Sequence, residues 1–475
     1  MNHIRVHYVS QLNENCEPYY DPPFRERSDK GRITMPQGET SGPLYLLSQL
    51  LEPGFPQNHY LSVLELLEAR ISYSQTADQT LLKPVTQGCL YVLARRGRMA
   101  NLEEQEGAYM KARLLALRIL VILSTIPGVI VEGFNHQPPV TDWLTIASSA
   151  PEFTSFTTIA DIEPQAFLLE SIDIPEKLDV TAHTFTTDEA TRILCAMVLD
   201  PSLDVALEAM KFFANLFLVD PDGAAQFMFA NNGINIITNG MLYILSFITG
   251  NESCPLVKHW NIPQVRFFVQ LRTYFSSFSI IVQTAGQYIG MLGNGYESGL
   301  IDVLIILIYQ DATFSDAIGA LDTVLLTDRS MTGITVETAC KYEHLDTKGT
   351  HTFPCTIIRK GVDLLDKKAR ADAISVVTSL LTSKTCITRL TGDLPCILGL
   401  ITSGKLTAVE GAKVLSSVAK FSHNQRYVME FLETASGKAQ EVKKYMAIAT
   451  TDRLSPTKQL GMRFEELDLN WSKPK

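Results

Sequence analysis

The sequence predicts an all-α chain whose helices stack as irregular repeats, an α-solenoid superhelix of about seven units interrupted by one β-hairpin insert. Three observations carry that expectation. Five apolar segments each hold a small residue followed by apolar residues four and seven positions later: Ala116 with Leu120 and Leu123, Ala209 with Phe213 and Leu216, Ala317 with Leu321 and Val324, Ala373 with Val377 and Leu380, and Gly411 with Leu415 and Val418. Such positions share one helix face, so the small residue lets a neighbouring helix approach while the larger two fill the space between. A glycine opens an apolar stretch at Gly42, Gly233, Gly299 and Gly392, and a small residue follows Gly42, Gly299 and Gly392 at distances of 20, 18 and 19 positions. With Ala209 standing 24 positions before Gly233 and Ala373 19 before Gly392, the unit is about 40 residues of helices joined by short turns. Finally, 475 residues at 46% hydrophobic and 19% charged are enough for a large continuous core.

The same composition narrows the function classes. A formal charge of −10 and a pI of about 5.5 argue against a phosphate-binding surface, which needs concentrated Lys and Arg, so no direct nucleic-acid binding is expected. The eight cysteines follow no framework of short regular spacings and several lie in apolar runs such as "QGCLYVL" and "RILCAMVL", the pattern of reduced, buried thiols in a cytoplasmic or nuclear protein. Residues 1–41 lack the apolar core of a secretory signal and read as a flexible N-terminal arm. Two segments approach span length, 114–131 and 233–250, yet Arg118 and Pro127 interrupt the first and Asn235, Thr238 and Asn239 the second. They read as core helices, with no membrane span.

The segments "LDVALEAMKFFANLFLVDPDGAAQFMFANNGINIITNGML" and "GDLPCILGLITSGKLTAVEGAKVLSSVAKFSHNQRYVMEFLE" resemble armadillo repeats, with a glycine-led second helix and an alanine-containing long third helix. The resemblance covers residues 42–435 and implies an armadillo-like helical repeat domain. Members that bind extended peptides line their groove with asparagines from successive third helices. Here Asn215 alone takes that place, the equivalent positions holding Ile122, Thr323, Ser379 and Ser417. The asparagine ladder is therefore absent, and nuclear-import-type binding is not carried over.

Inserts interrupt the array. Residues 141–190 hold ten acidic residues against one lysine, either an acidic contact surface for basic segments of a partner or a solvated loop. Upstream, Arg95, Arg96, Arg98, Lys111, Arg113 and Arg118 mix with Glu103, Glu104 and Glu106, the pattern of a solvated helix face or of a site for an acidic peptide or phosphate. Beyond the repeats, residues 436–475 form a C-terminal helix and tail.

The stretch "CKYEHLDTKGTHTFPC" carries Cys340, His344, His351 and Cys355 as C-x3-H-x6-H-x3-C, ligand types that suit zinc. Two short helices would make each Cys and His i,i+4 neighbours and let four ligands converge. A hairpin around "DTKG" would instead set Cys340 opposite Cys355 and His344 opposite His351, about 13 Å apart along the strands and too far to share one ion. The Ile-, Val-, Thr- and Tyr-rich flanks and Pro354 favour strands, so a metal-free hairpin over 332–362 is the expectation.

The chain has no Walker loop, no dinucleotide fingerprint at "GMLGNGYESG", no HExxH and no GxSxG. The expectation is a non-catalytic scaffold or adaptor that binds other proteins, without cofactors, with Asn215, Arg95, Arg96 and Arg98 as candidate partner contacts. A structural subunit of a large nuclear assembly such as a chromatin-remodelling complex, and a metal-dependent or enzymatic module on a helical scaffold, are the alternatives.

Overall fold

A computed structural model describes residues 46–47, 57–73, 79–95, 106–136, 169, 172–175, 177–179, 184–200, 202–230, 233–249, 264–289, 299–346, 351–419, 422–434, 440–443 and 445. The structure is all-helical, and no strand occurs among the described residues. Nor is any described helix long and apolar enough to cross a membrane. The arm 1–41, most of 141–190 and the tail beyond 445 lie outside the described residues.

The helices divide between two compact units, one within 1–240 and 254–285 and the other within 241–253 and 286–475. In the first, α1 (Gln57–Tyr73), α2 (Gln79–Ala94), α3 (Glu106–Ser124), α4 (Val129–Gly133), α5 (Thr187–Val198), α6 (Leu203–Val219) and α7 (Pro221–Ala230) precede α8 (Gly233–Thr249) and α9 (Gln264–Ile289), which belong to it up to Gly240 and Ala285. Helix α3 packs on α1, α2 and α6. Phe134, Phe212 and Phe227 meet at its centre, with ring centroids 6.0 Å and 5.0 Å from Phe134. The buried Tyr274 hydroxyl donates to the Val198 carbonyl at 2.9 Å, meeting the demand that a buried donor finds an acceptor. Thr186 and Glu189 open α5 with a reciprocal capping box.

The second unit contains α10 (Leu300–Tyr309), α11 (Phe314–Thr327), α12 (Met331–Tyr342) with a 3-10 turn (Glu343–Leu345), α13 (Phe353–Val362), α14 (Lys367–Leu380), α15 (Lys384–Leu390), a second 3-10 turn (Thr391–Asp393), α16 (Leu394–Thr402), α17 (Ala408–Val418) and α18 (Ser422–Thr434). Helix α10, "LIDVLIILIY", is buried almost all round, as its uniform apolar character requires. It starts at Gly299 with φ of 72°, a left-handed turn that costs a side-chain-bearing residue about 1 kcal/mol or more. Helix α14 is central, packing on α11, α12, α13 and α17.

The fifteen positions of the sequence pattern are all buried. The helices that carry them meet one another: α3 packs on α6, α11 on α14, and α14 on α17. Two of the small residues face other neighbours: Ala373 meets Gly361 of α13, and Gly411 faces Ile401 of α16.

The hairpin expected over 332–362 is replaced by helices α12 and α13. Burial decides against the strand-like composition. Met331 and Thr332, Thr335 and Val336, then Ala339 form one buried face of α12, and Phe353 and Pro354, Ile357 and Ile358, then Gly361 and Val362 form one of α13, a helical and not an alternating period. β-Branched residues disfavour helix by only tenths of a kcal/mol each, against about 1.5–3 kcal/mol for burying an Ile or Phe. Pro354 sits in the first turn of α13, where its missing N–H is of no consequence.

Candidate functional site

With helices in place of strands, the four Cys and His residues form two separate i,i+4 pairs that are used differently. Cys340, in the last turn of α12, donates to the Val336 carbonyl at 3.1 Å and receives the Arg389 guanidinium, whose other arm holds Glu343 at 2.6 Å. His344 Nδ1 lies 2.9 Å from the Lys341 carbonyl. Both are taken up in local structure, so the symmetric quartet does not close around one point.

His351 and Cys355 instead join a residue that the sequence reading left out, Cys396. A ring nitrogen of His351 and the sulfurs of Cys355 and Cys396 lie within 4.8 Å of one another, and no other grouping of three or more potential metal ligands occurs among the described residues. The positions follow from two matching helix starts. Thr352 and Asp393 stand at the N-cap positions of α13 and α16, without a side-chain bond to their own helix, and each is followed by an apolar residue, a proline and a cysteine: "TFPC" and "DLPC". The cysteines stand 41 positions apart, close to one repeat unit, and α13 packs on α16.

The two caps are joined directly. Asp393 Oδ2 accepts from the Thr352 backbone N–H and from its hydroxyl, both at 2.6 Å, while Oδ1 lies 3.0 Å from His351 Nδ1. Burial would push the Asp393 carboxyl up, but these bonds outweigh it and hold it below the ordinary carboxylate range. His351 Nδ1 is also 3.8 Å from Cys355 Sγ, and the Cys396 sulfur lies beside both. Burial first, then the Asp393 charge, pushes the Cys355 thiol up. Cys355 is buried and Cys396 half-buried. A relay for nucleophilic catalysis needs the carboxylate and the thiol on opposite ring nitrogens. Here both face Nδ1, so the arrangement is a ligand cluster in form.

A second feature lies on the opposite end of α13. A cleft of about 410 Å³ is lined by Tyr309, Phe314, Leu345, Asp346, Arg359 and Leu364, among others. Lys360 forms its floor, donating to the Ile308 and Tyr309 carbonyls at 3.2 and 2.6 Å and pairing with Asp311 at 2.7 Å, which caps the negative end of α10 with a cation. The buried Tyr309 hydroxyl has no hydrogen-bond partner, and among the described residues Arg359 has neither an ion-pair nor a hydrogen-bond partner. Next to the lining residue Leu364, Leu365 is fully exposed at 100%.

The other candidates are placed as follows. Asn215, on α6, reaches the Val121 carbonyl of α3 at 3.5 Å, so it serves the contact between two helices. Arg95 lies over the Tyr91 ring at 5.6 Å, and Arg96 and Arg98 lie outside the described residues. Arg113, one of the basic group, is buried against Asp200, and Lys111 pairs with Glu65 at 3.0 Å. The chain matches no family model, no curated protein and no solved structure.

The signal that would have found Cys396 is the repeated Pro-Cys at a separation of one unit. Nothing in the sequence pointed to the cleft, because its walls come from the ends of α10 and α13 and the turn after α12.

Proposed function

We propose that the chain is a non-catalytic protein-binding scaffold, built as an armadillo-like stack of helical repeats. The stacking of the pattern-bearing helices, α11 on α14 on α17, supports the repeat reading, since each unit then buries a face against the next. The observation that carries the binding role is the cleft, which presents the Arg359 guanidinium and is followed in the chain, directly after its lining residue Leu364, by the fully exposed Leu365. Arginine in a concave site is among the residue types enriched at protein-interaction hot spots. Its donors suit a segment that brings a carboxylate next to an apolar side chain.

The test is affinity purification of the intact chain from its native source, alongside Leu365→Asp and Arg359→Glu, with quantitative recovery of bound proteins. A partner whose recovery falls about tenfold or more in both variants, as loss of a hot-spot contact gives, supports the reading. Identical recovery of every bound protein by the three chains overturns it.

A further inference from the structure

We propose that His351, Cys355 and Cys396 form a zinc-binding site that ties the start of α13 to the start of α16. The inference is independent of the partner-binding cleft. Two thiols and an imidazole are the ligand set that selects zinc among the common divalent ions. With Zn–N of about 2.0–2.1 Å and Zn–S of about 2.3 Å at tetrahedral angles, nitrogen and sulfur ligands stand about 3.6 Å apart and two sulfurs about 3.8 Å. His351 Nδ1 and Cys355 Sγ are already 3.8 Å apart, and all three ligand atoms fall within 4.8 Å. Closing on an ion therefore asks for side-chain adjustment of about 1 Å or less and no movement of the helices.

Both cysteines lie in the first turn of a helix, and the charge of the bound ion itself is what draws the proton from a coordinating thiol. Asp393 Oδ1 lies 3.0 Å from His351 Nδ1, the nitrogen that also faces Cys355, so zinc taken up at Nδ1 replaces that contact while Asp393 keeps its two bonds to Thr352. Binding balances as one Zn2+ taken up and two thiol protons released, leaving the three-ligand centre formally neutral. In the repeat array such a centre fastens the opening turns of equivalent helices one unit apart.

The experiment uses the intact, tag-free chain, purified under reducing conditions, loaded with Zn2+ and freed of excess. The expected result is about one zinc per chain by elemental analysis, with release of about two protons per zinc in weak buffer. Cys396→Ser and His351→Ala then lose the metal at unchanged helix content, whereas Cys340→Ser and His344→Ala keep it. Cobalt loading supplies a second readout, a thiolate charge-transfer band that weakens in Cys396→Ser. A wild-type chain that retains no zinc, metal content unchanged in Cys396→Ser, or a Cys355–Cys396 disulfide in place of the metal would each overturn the assignment.

Discussion

Arg113 and Asp200 form an ion pair inside the first unit, their side chains only 7% and 0% exposed. Asp200 Oδ1 also accepts the Ser202 backbone N–H at 2.8 Å, so the pair fixes α3 to the turn that leads into α6. Removing one partner leaves an uncompensated buried charge, which costs about 3–5 kcal/mol. Asp200→Ala is expected to lower stability to denaturant by that amount, and Arg113→Met with Asp200→Leu to recover much of it. A single-variant loss below about 1 kcal/mol, the range of exposed pairs, would show that the pair is solvated.

Glu410 gives stability a defined acid limb. Burial would push its carboxyl up, but Arg370 and the Thr407 backbone and hydroxyl donors outweigh that and hold it at about 2, against an ordinary value of 4.5. Arg370 grips it with contacts of 2.7 and 2.6 Å, linking α14 to α17. The unfolded chain binds the extra proton between these two values, so the contribution is complete above about 4.5 and is lost as pH falls toward 2. Denaturation midpoints measured from pH 5 to 2.5 should fall more steeply for the native chain than for Glu410→Gln. Parallel curves would refute the assignment.

Close packing of α13 on α14 depends on Gly361. A Cβ there would stand 2.8 Å from the Ala373 Cβ, closer than carbon atoms tolerate. The expected cost of Gly361→Val is about 1–3 kcal/mol from overpacking, read as a lower denaturation midpoint. Ala373→Gly in the same chain should relieve part of that strain, although glycine within a helix costs about 1 kcal/mol. A Gly361→Val chain as stable as the native one would mean that the two helices separate freely.

Much of the helical packing was legible because burial leaves a local trace. The sets headed by Ala116, Ala209, Ala317, Ala373 and Gly411 are all buried, since a helix with one covered face must repeat apolar residues at three and four positions. Over 332–362 the side-chain types favour strands while the burial follows a helical period, and burial prevails. Thr335 shows why: its hydroxyl donates to the Met331 carbonyl at 2.7 Å, so a strand-favouring residue is satisfied inside a helix once neighbours supply the burial.

Ligand types at 351 and 355 were also readable, as was the possibility that two helices would make them i,i+4 neighbours. The third member was not, because Cys396 reaches them only through the packing of α13 on α16 and the cap-to-cap bonds between Thr352 and Asp393.

By itself, then, the sequence determined that the chain is helical and which faces of its pattern-bearing helices are covered, because both are set by spacing within a few turns. Only the tertiary structure decided that Cys340 belongs to Arg389, that Cys355 belongs with Cys396, and that Leu365 stands uncovered beside a cleft. Those outcomes depend on distances between side chains tens of residues apart, which are fixed when helices pack and leave no mark in local periodicity.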